Sequence, residues 1–367
     1  MQTYVVNLVS SASDSFRCRK AANSLDIDVE KKLIHNLKVS ADVESDFSIG
    51  LILGASGSGK TTLAKQIYGQ QCFNTVLDES KPIIDQFPQD WSYDQCAEAL
   101  NGIGLTQVVC WIRPVATLSN GQKARAEAAL ALAYGEIKII DEWTSVVDRT
   151  VAKVMSHCVQ KHARKNKKRV VLVSCHYDVI EWLQPDWIIE CNTQTYENRR
   201  SLRQVRNEKL EFTIKECSRE SWKYFSKYHY LSERLPGGKL YLYGLYHGDN
   251  QIGFQCFANY VPTKKGDVAI YHSNRTVIHP DYAGFGLGIK IINETAELML
   301  SKGYRVMAKF SSTPIYKSMS KQKNWKLKEI RRDVDDSVMG SGVKKNVLKI
   351  KCGFRTKVKT YSFEYLK

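Results

Sequence analysis

None of the ten cysteines stands in a C-x-x-C pair. Neither a zinc ribbon nor a disulfide framework is therefore signalled, and reduced, mostly buried thiols are the plain reading. No run approaches the roughly 18 uncharged apolar residues that cross a bilayer. The N-terminal stretch MQTYVVNLVSSASDSFRCRK lacks the basic-then-apolar order of a signal peptide. These absences set a membrane-embedded role aside and lead to the expectation of a cytoplasmic protein. Neither an internal repeat nor a low-complexity tract interrupts the chain. Acidic residues are in deficit: 38 Asp and Glu face 54 Lys and Arg, a formal charge of +16. That excess would attract a polyanion such as nucleic acid, although a solvated basic face accounts for each basic run taken singly.

The 367 residues are enough for two cores, and 43% hydrophobic with 25% charged residues is ordinary for a folded chain. Up to about residue 195, the apolar runs LILGAS, KPIIDQF, IKIID, RVVLVS and DWIIEC read as strands alternating with helical stretches. This is the habit of an α/β domain built on a parallel sheet, placed at 1–197. A polar segment with Arg199, Arg200, Arg203 and Arg206 follows, and 198–211 reads as a basic linker. From 212 to 367 the pattern becomes α+β. It opens with a helix at SRESWKYFSKYHYL and continues with strands KLYLYGLY and IGFQCFANYV about the turn HGDNQ. Another strand, a glycine loop and the helix IKIINETAELMLSKG come next.

Residues 54–61, GASGSGKT, satisfy G-x-x-x-x-G-K-[ST] directly after the apolar strand FSIGLIL. In that context, free amides wrap a phosphate and feed it to a helix N-terminus. Gly54, Ser56, Gly57, Ser58, Gly59, Lys60, Thr61 and Thr62 are the expected nucleotide-binding set. Lys60 would reach the β- and γ-phosphates, and Thr61 would hold Mg²⁺ through its hydroxyl.

LSNGQ (118–122), IKIIDEWTSVVD (137–148) and VSCH (173–176) follow in order. With these four motifs the chain resembles the ABC ATPases. LSNGQ matches the LSGGQ signature with Asn120 for one glycine, 137–142 the Walker B strand, 145–148 the D-loop and His176 the switch histidine. The resemblance implies that Asp141 supports Mg²⁺, Glu142 polarises the attacking water and His176 contacts the γ-phosphate. Gln86 is the choice for the Q-loop, at Mg²⁺ and the attacking water, with Gln89 close behind. Ser119, Gly121 and Gln122 would cap ATP held by a second copy, which implies an ATP-dependent homodimer. Lys60 and Ser119 lie only 59 positions apart, so the subdomain that docks on membrane partners looks reduced, and a transporter role loses ground.

The segment VIHPDYAGFGLG (277–288) is a second glycine-spaced turn entering a helix, presenting amides to an anion without a P-loop lysine. It resembles motif A of the GNAT acyltransferases through Val277, Pro280, Tyr282, Gly284, Gly286, Leu287 and Gly288. The usual Arg or Gln is Ala283. By this resemblance Ile278, Gly284, Phe285, Gly286, Leu287 and Gly288 would hold acyl-CoA, acetyl-CoA by preference. Tyr316 would protonate the departing thiolate.

Over nearly its whole length the chain resembles soluble ABC-type ATPases that carry a C-terminal acetyltransferase-like domain. Its C-terminal part also resembles Mom-type nucleobase-modifying enzymes. Trp222, Phe225 and Tyr228 belong to that likeness, and at i, i+3, i+6 they also read as core. His229 could serve as base for the acceptor, or simply pack. The expectation is an ATPase coupled to acyl transfer onto a nucleobase of DNA or RNA. An ATP-switched nucleic-acid clamp and a protein or small-amine N-acetyltransferase stay open beside it.

Overall fold

The computed structural model describes residues 1–10, 13, 15–24, 33–44, 46–73, 77–199, 211–229, 234–259, 266–332 and 359–366. The chain forms two compact units, Met1–Lys209 with Pro280–Phe285, and Leu210–His279 with Gly286–Lys367. Arg200, Arg203 and Arg206 of the basic segment lie outside the described residues.

The first unit opens with β1 (Gln2–Ser10), α1 (Phe16–Ser24) and β2 (Leu33–Ala41). β1 and β2 pair as an antiparallel ribbon. There follow β3 (Ile49–Leu53), α2 (Lys60–Tyr68), α3 (Tyr93–Gly102), α4 (Val108–Trp111), α5 (Asn120–Ala133) and β4 (Ile137–Ile140). The unit continues with α6 (Arg149–Lys165), β5 (Arg169–Ser174), α7 (Val179–Leu183), β6 (Trp187–Glu190) and β7 (Thr195–Asn198). The central sheet runs β4-β5-β3-β6-β7, parallel except for the last strand.

Every residue of β3, IGLIL, is buried, as a parallel strand covered on both faces requires. Ile49, Leu51 and Leu53 face a core shared with α3, α5 and α6. Ile52 faces the opposite core, with the β1–β2 ribbon and Leu63 and Ala64 of α2. The run KPIIDQF, expected as a strand, is instead a 3₁₀ turn over Ile83–Gln86. Arg125, 1% exposed, donates to the carbonyl oxygens of Pro280 and Asp281 at 2.9 and 3.2 Å. That segment thereby joins the first unit.

The second unit contains β8 (Thr213–Glu216), α8 (Ser221–Phe225), β9 (Leu240–His247), β10 (Asn250–Ala258) and β11 (Ile270–Ile278). α9 (Leu287–Ser301), β12 (Arg305–Phe310), α10 (Thr313–Met319), β13 (Trp325–Arg332) and β14 (Lys359–Tyr365) complete it. Its sheet order is β13-β14-β12-β11-β10-β9-β8. Only β11 and β12 are parallel, and they pair over Ile270–Ser273 alone, so the two strands separate toward the end of β11. Trp222 and Phe225 of α8 pack on Phe254, Cys256 and Val277, while α9 crosses β8 and β10–β12. The helix expected over SRESWKYFSKYHYL is a single turn at Ser221–Phe225 and a 3₁₀ turn at Ser226–Tyr228. No helix among the described residues is long and apolar enough to cross a membrane.

Candidate functional site

The loop from Gly54 to Lys60 leaves β3 and enters α2. Gly57 and Gly59 adopt φ of 79° and 88°, a left-handed backbone that glycine takes at low cost. A Cβ on Gly57 would meet nothing within 4 Å, so it is conformation that selects glycine there. The loop is braced from behind, since Cys191 N donates to Leu53 O at 2.8 Å and Ala55 N to Asn192 Oδ1 at 3.3 Å.

Lys60 is 7% exposed and donates from Nζ to Ala55 O at 2.7 Å. The ammonium thus lies folded across its own loop, where an anion would be wrapped. Thr61 Oγ1 donates to Asp141 Oδ2 at 2.7 Å. A hydroxyl from a helix N-terminus and a carboxylate from the end of β4 therefore converge, the oxygen donor pair that suits Mg²⁺ together with phosphate oxygens. Ser56 and Thr62 flank these groups in sequence, and Ser58 is buried beside Gly54.

Beyond Asp141 the chain turns sharply. Glu142 and Thr144 have φ of 49° and 69°. Trp143, between them, is buried, with its main-chain N–H on Val173 O at 2.8 Å and its indole on Ser156 Oγ at 3.0 Å. Glu142 Oε2 accepts from Ser145 Oγ at 2.7 Å. Ser174 Oγ donates to Trp143 O at 2.9 Å and accepts from His176 N at 3.1 Å. A short chain of bonds thus links the backbone of the Glu142 turn to that of half-buried His176.

Ser119 and Gln122 form a capping box at the start of α5, and Gly121 stands in its first turn. Asp148 caps α6 through Val151 N at 3.0 Å. The Gln86 amide is engaged in its own loop, donating to Asp78 O at 2.9 Å and accepting from Asp78 N at 2.8 Å, while Gln89 is exposed.

In the second unit, β11 ends at Ile278 and α9 starts after Gly286, whose φ is 74°. The expected anion-binding residues are divided: Gly284 and Phe285 group with the first unit, while Ile278, Gly286, Leu287 and Gly288 group with the second. Tyr316, on α10, stacks on Tyr361 with centroids 4.2 Å apart. His229 lies edge-on to Trp222 at 5.7 Å. Burial, and then the nearby Arg275 charge, pull its pKa down to about 4.

Several relationships have no mark in the sequence because the partners lie far apart along it. Tyr228 Oη and His279 Nε2 are 3.2 Å apart across 51 residues, and Tyr224 stacks on the same imidazole at 5.9 Å. Asn192 behind the loop, and the pairing of Arg149 with Asp178, are of this kind. In the sequence His279 is marked only by its place within the glycine-spaced segment VIHPDYAGFGLG.

No family model matches the chain, and no curated protein matches it. Among solved structures it is similar to a dimeric ATP-binding cassette in a post-hydrolysis state bound to ADP and Pi. Identity there is 17%, over 54% of this chain and 98% of that one, with a TM-score of 0.38. It is also similar to an ATP-binding cassette of an ABC transporter in the ADP conformation, with 14% identity, 53% and 90% coverage and a TM-score of 0.34. A GNAT family acetyltransferase from Elizabethkingia anophelis with acetyl-CoA bound is similar at 10% identity, 43% and 100% coverage and a TM-score of 0.28.

Proposed function

We propose that the first unit, with 1–197 as its domain, binds ATP with Mg²⁺ and hydrolyses it in the manner of ABC ATPases. The observation that carries this reading is the 2.7 Å bond between Thr61 Oγ1 and Asp141 Oδ2 at the foot of a loop that buries Lys60. Lys60 and the loop amides would hold the phosphates, and the Thr61–Asp141 pair Mg²⁺, whose charge supplies stabilisation of the transferring phosphoryl group. Glu142 would orient the attacking water and His176 would face the γ-phosphate. Gln86 is kept as the Q-loop candidate, although its amide would have to leave its bonds to Asp78 to serve there. Two copies would close on ATP through Ser119, Gly121 and Gln122.

For the second unit, 212–367 after the 198–211 linker, we propose transfer of an acyl-type group from acyl-CoA, acetyl-CoA by preference, to a nucleobase. Ile278, Gly284, Phe285, Gly286, Leu287 and Gly288 would contribute to binding, Tyr316 would protonate the thiolate and His229 would act as base. The +16 charge supports a nucleic-acid partner. A second reading, an ATP-switched clamp on nucleic acid with an inactive second unit, is favoured by the stacked Tyr316 and the weakly basic His229.

The test is mass spectrometry of nucleosides from the total DNA and RNA of cells expressing the protein, Lys60→Ala or Gly286→Glu. A new nucleoside made only by the intact protein supports transfer and identifies its acceptor. Identical samples, with purified protein still hydrolysing ATP and binding nucleic acid, leave the clamp.

A further inference from the structure

Two non-glycine residues with left-handed backbone flank Trp143, and each such conformation costs on the order of 1–3 kcal/mol and persists only where its surroundings enforce it. The buried side of the Glu142–Thr144 turn is held by Trp143, Ser156 and Ser174. On its outer side stands Arg149, the first residue of α6. Its Nε donates to Asp178 Oδ2 at 2.8 Å and its Nη2 to Asp178 Oδ1, fork to fork. Its Nη1 reaches Thr144 Oγ1 at 3.5 Å. The guanidinium lies 5.1 Å from the ring centroid of Trp182 on α7.

Thr144 is two residues from Glu142, and Asp178 is two residues from His176. One planar cation thus spans the two loops that carry the groups assigned to hydrolysis. The pairing is suited to fixing direction as well as distance, because a bidentate fork tolerates little rotation.

We propose that Arg149, through Asp178 and Thr144, is a positioning residue for ATP hydrolysis that holds Glu142 and His176 in register. This rests on the ATPase reading above. The side chains of Arg149 and Asp178 are 41% and 45% exposed, and exposed ion pairs contribute only about 0–1 kcal/mol to folding. Removing the pair should therefore leave the fold intact and act on the loops.

The test uses the full-length protein with Mg·ATP and the variants Arg149→Ala, Arg149→Lys, Asp178→Ala and the exchange Arg149→Asp with Asp178→Arg. Misplacement of reacting groups by about 1 Å costs on the order of 100-fold, so kcat of either alanine variant should fall about 10- to 100-fold. KM for ATP should change less than about threefold, since Lys60 and Thr61 are untouched. The lysine variant should recover part of the loss and the exchange more than either reversed residue alone. Hydrogen exchange should quicken at 142–146 and 174–178 in Arg149→Ala and stay unchanged in the second unit.

Unchanged kcat and exchange in all variants would reduce the pair to a surface contact and overturn the proposal. A rise in KM at constant kcat would also overturn it, by placing Arg149 in nucleotide binding. If the parent protein binds Mg·ATP without turnover, the ATPase reading itself falls and this role with it.

Discussion

Asp141 serves two neighbours at once: Oδ2 accepts from the Thr61 hydroxyl and Oδ1 from Glu142 N at 2.9 Å. One carboxylate therefore fixes both the position expected to hold Mg²⁺ and the start of the strained turn. On the proposed ATPase reading, Asp141→Ala should lower kcat for Mg-dependent hydrolysis by about 100-fold or more, because the ion would lose its protein carboxylate and Glu142 its anchor. Thr61→Ala should keep measurable turnover but raise the Mg²⁺ concentration for half-maximal rate about tenfold. A metal titration of the rate at saturating ATP checks both. Equal Mg²⁺ dependence in the parent and Thr61→Ala proteins would remove Thr61 from the metal.

At the scale of elements, the sequence was legible where local rules and tertiary packing agree. IGLIL and the VVLV of RVVLVS are unbroken apolar runs and lie at the centre of the parallel sheet. The glycine-rich loop stands between strand and helix as its spacing required. The sequence was misleading at KPIIDQF, where Pro82 and Pro88 bracket IIDQF. Ile83 and Phe87 are buried in the core and Ile84 packs against it, while Gln86 closes the loop on Asp78. The ties most particular to the site, Arg149 to Asp178 and Tyr228 to His279, join residues 29 and 51 positions apart and follow no periodicity. Packing within the sheet makes a sharper prediction. A Cβ on Gly50 would lie 2.1 Å from the buried Trp187 ring, and the indole is wholly buried in the core it shares with Phe47, Ile52 and Ile189. Gly50→Ala should destabilise the first unit by about 1–3 kcal/mol as overpacking does, and the double variant Gly50→Ala with Trp187→Phe should recover part of it. Urea unfolding followed by circular dichroism measures this, and a Gly50→Ala midpoint equal to the parent's would refute the close approach.

Across the whole molecule, both units carry histidines held in their neutral form. Burial draws His162, on α6, down to about 4, assisted by Lys165, and draws His229 down to about 4, assisted by Arg275. His157 and His272 are lowered in the same way, by burial and then by Lys161 and Lys309. In each case the folded pKa lies below the unfolded value near 6.5, so between the two the unfolded chain binds more protons than the folded one. Stability from these groups is complete above about pH 6.5 and is lost as the pH falls toward 4, at up to about 1.4 kcal/mol per pH unit for each fully engaged histidine. The melting temperature should hold between pH 7 and 8 and fall by several degrees from pH 6.5 to 5, before ordinary carboxylates are protonated. Because the residues are divided between the units, His162→Gln should flatten the acid dependence of unfolding in the first unit and His229→Gln that in the second. Calorimetry of the parent and both variants across this range tests the assignment. A melting temperature that stays constant from pH 7 to 5 would mean that these imidazoles reach water in the folded protein.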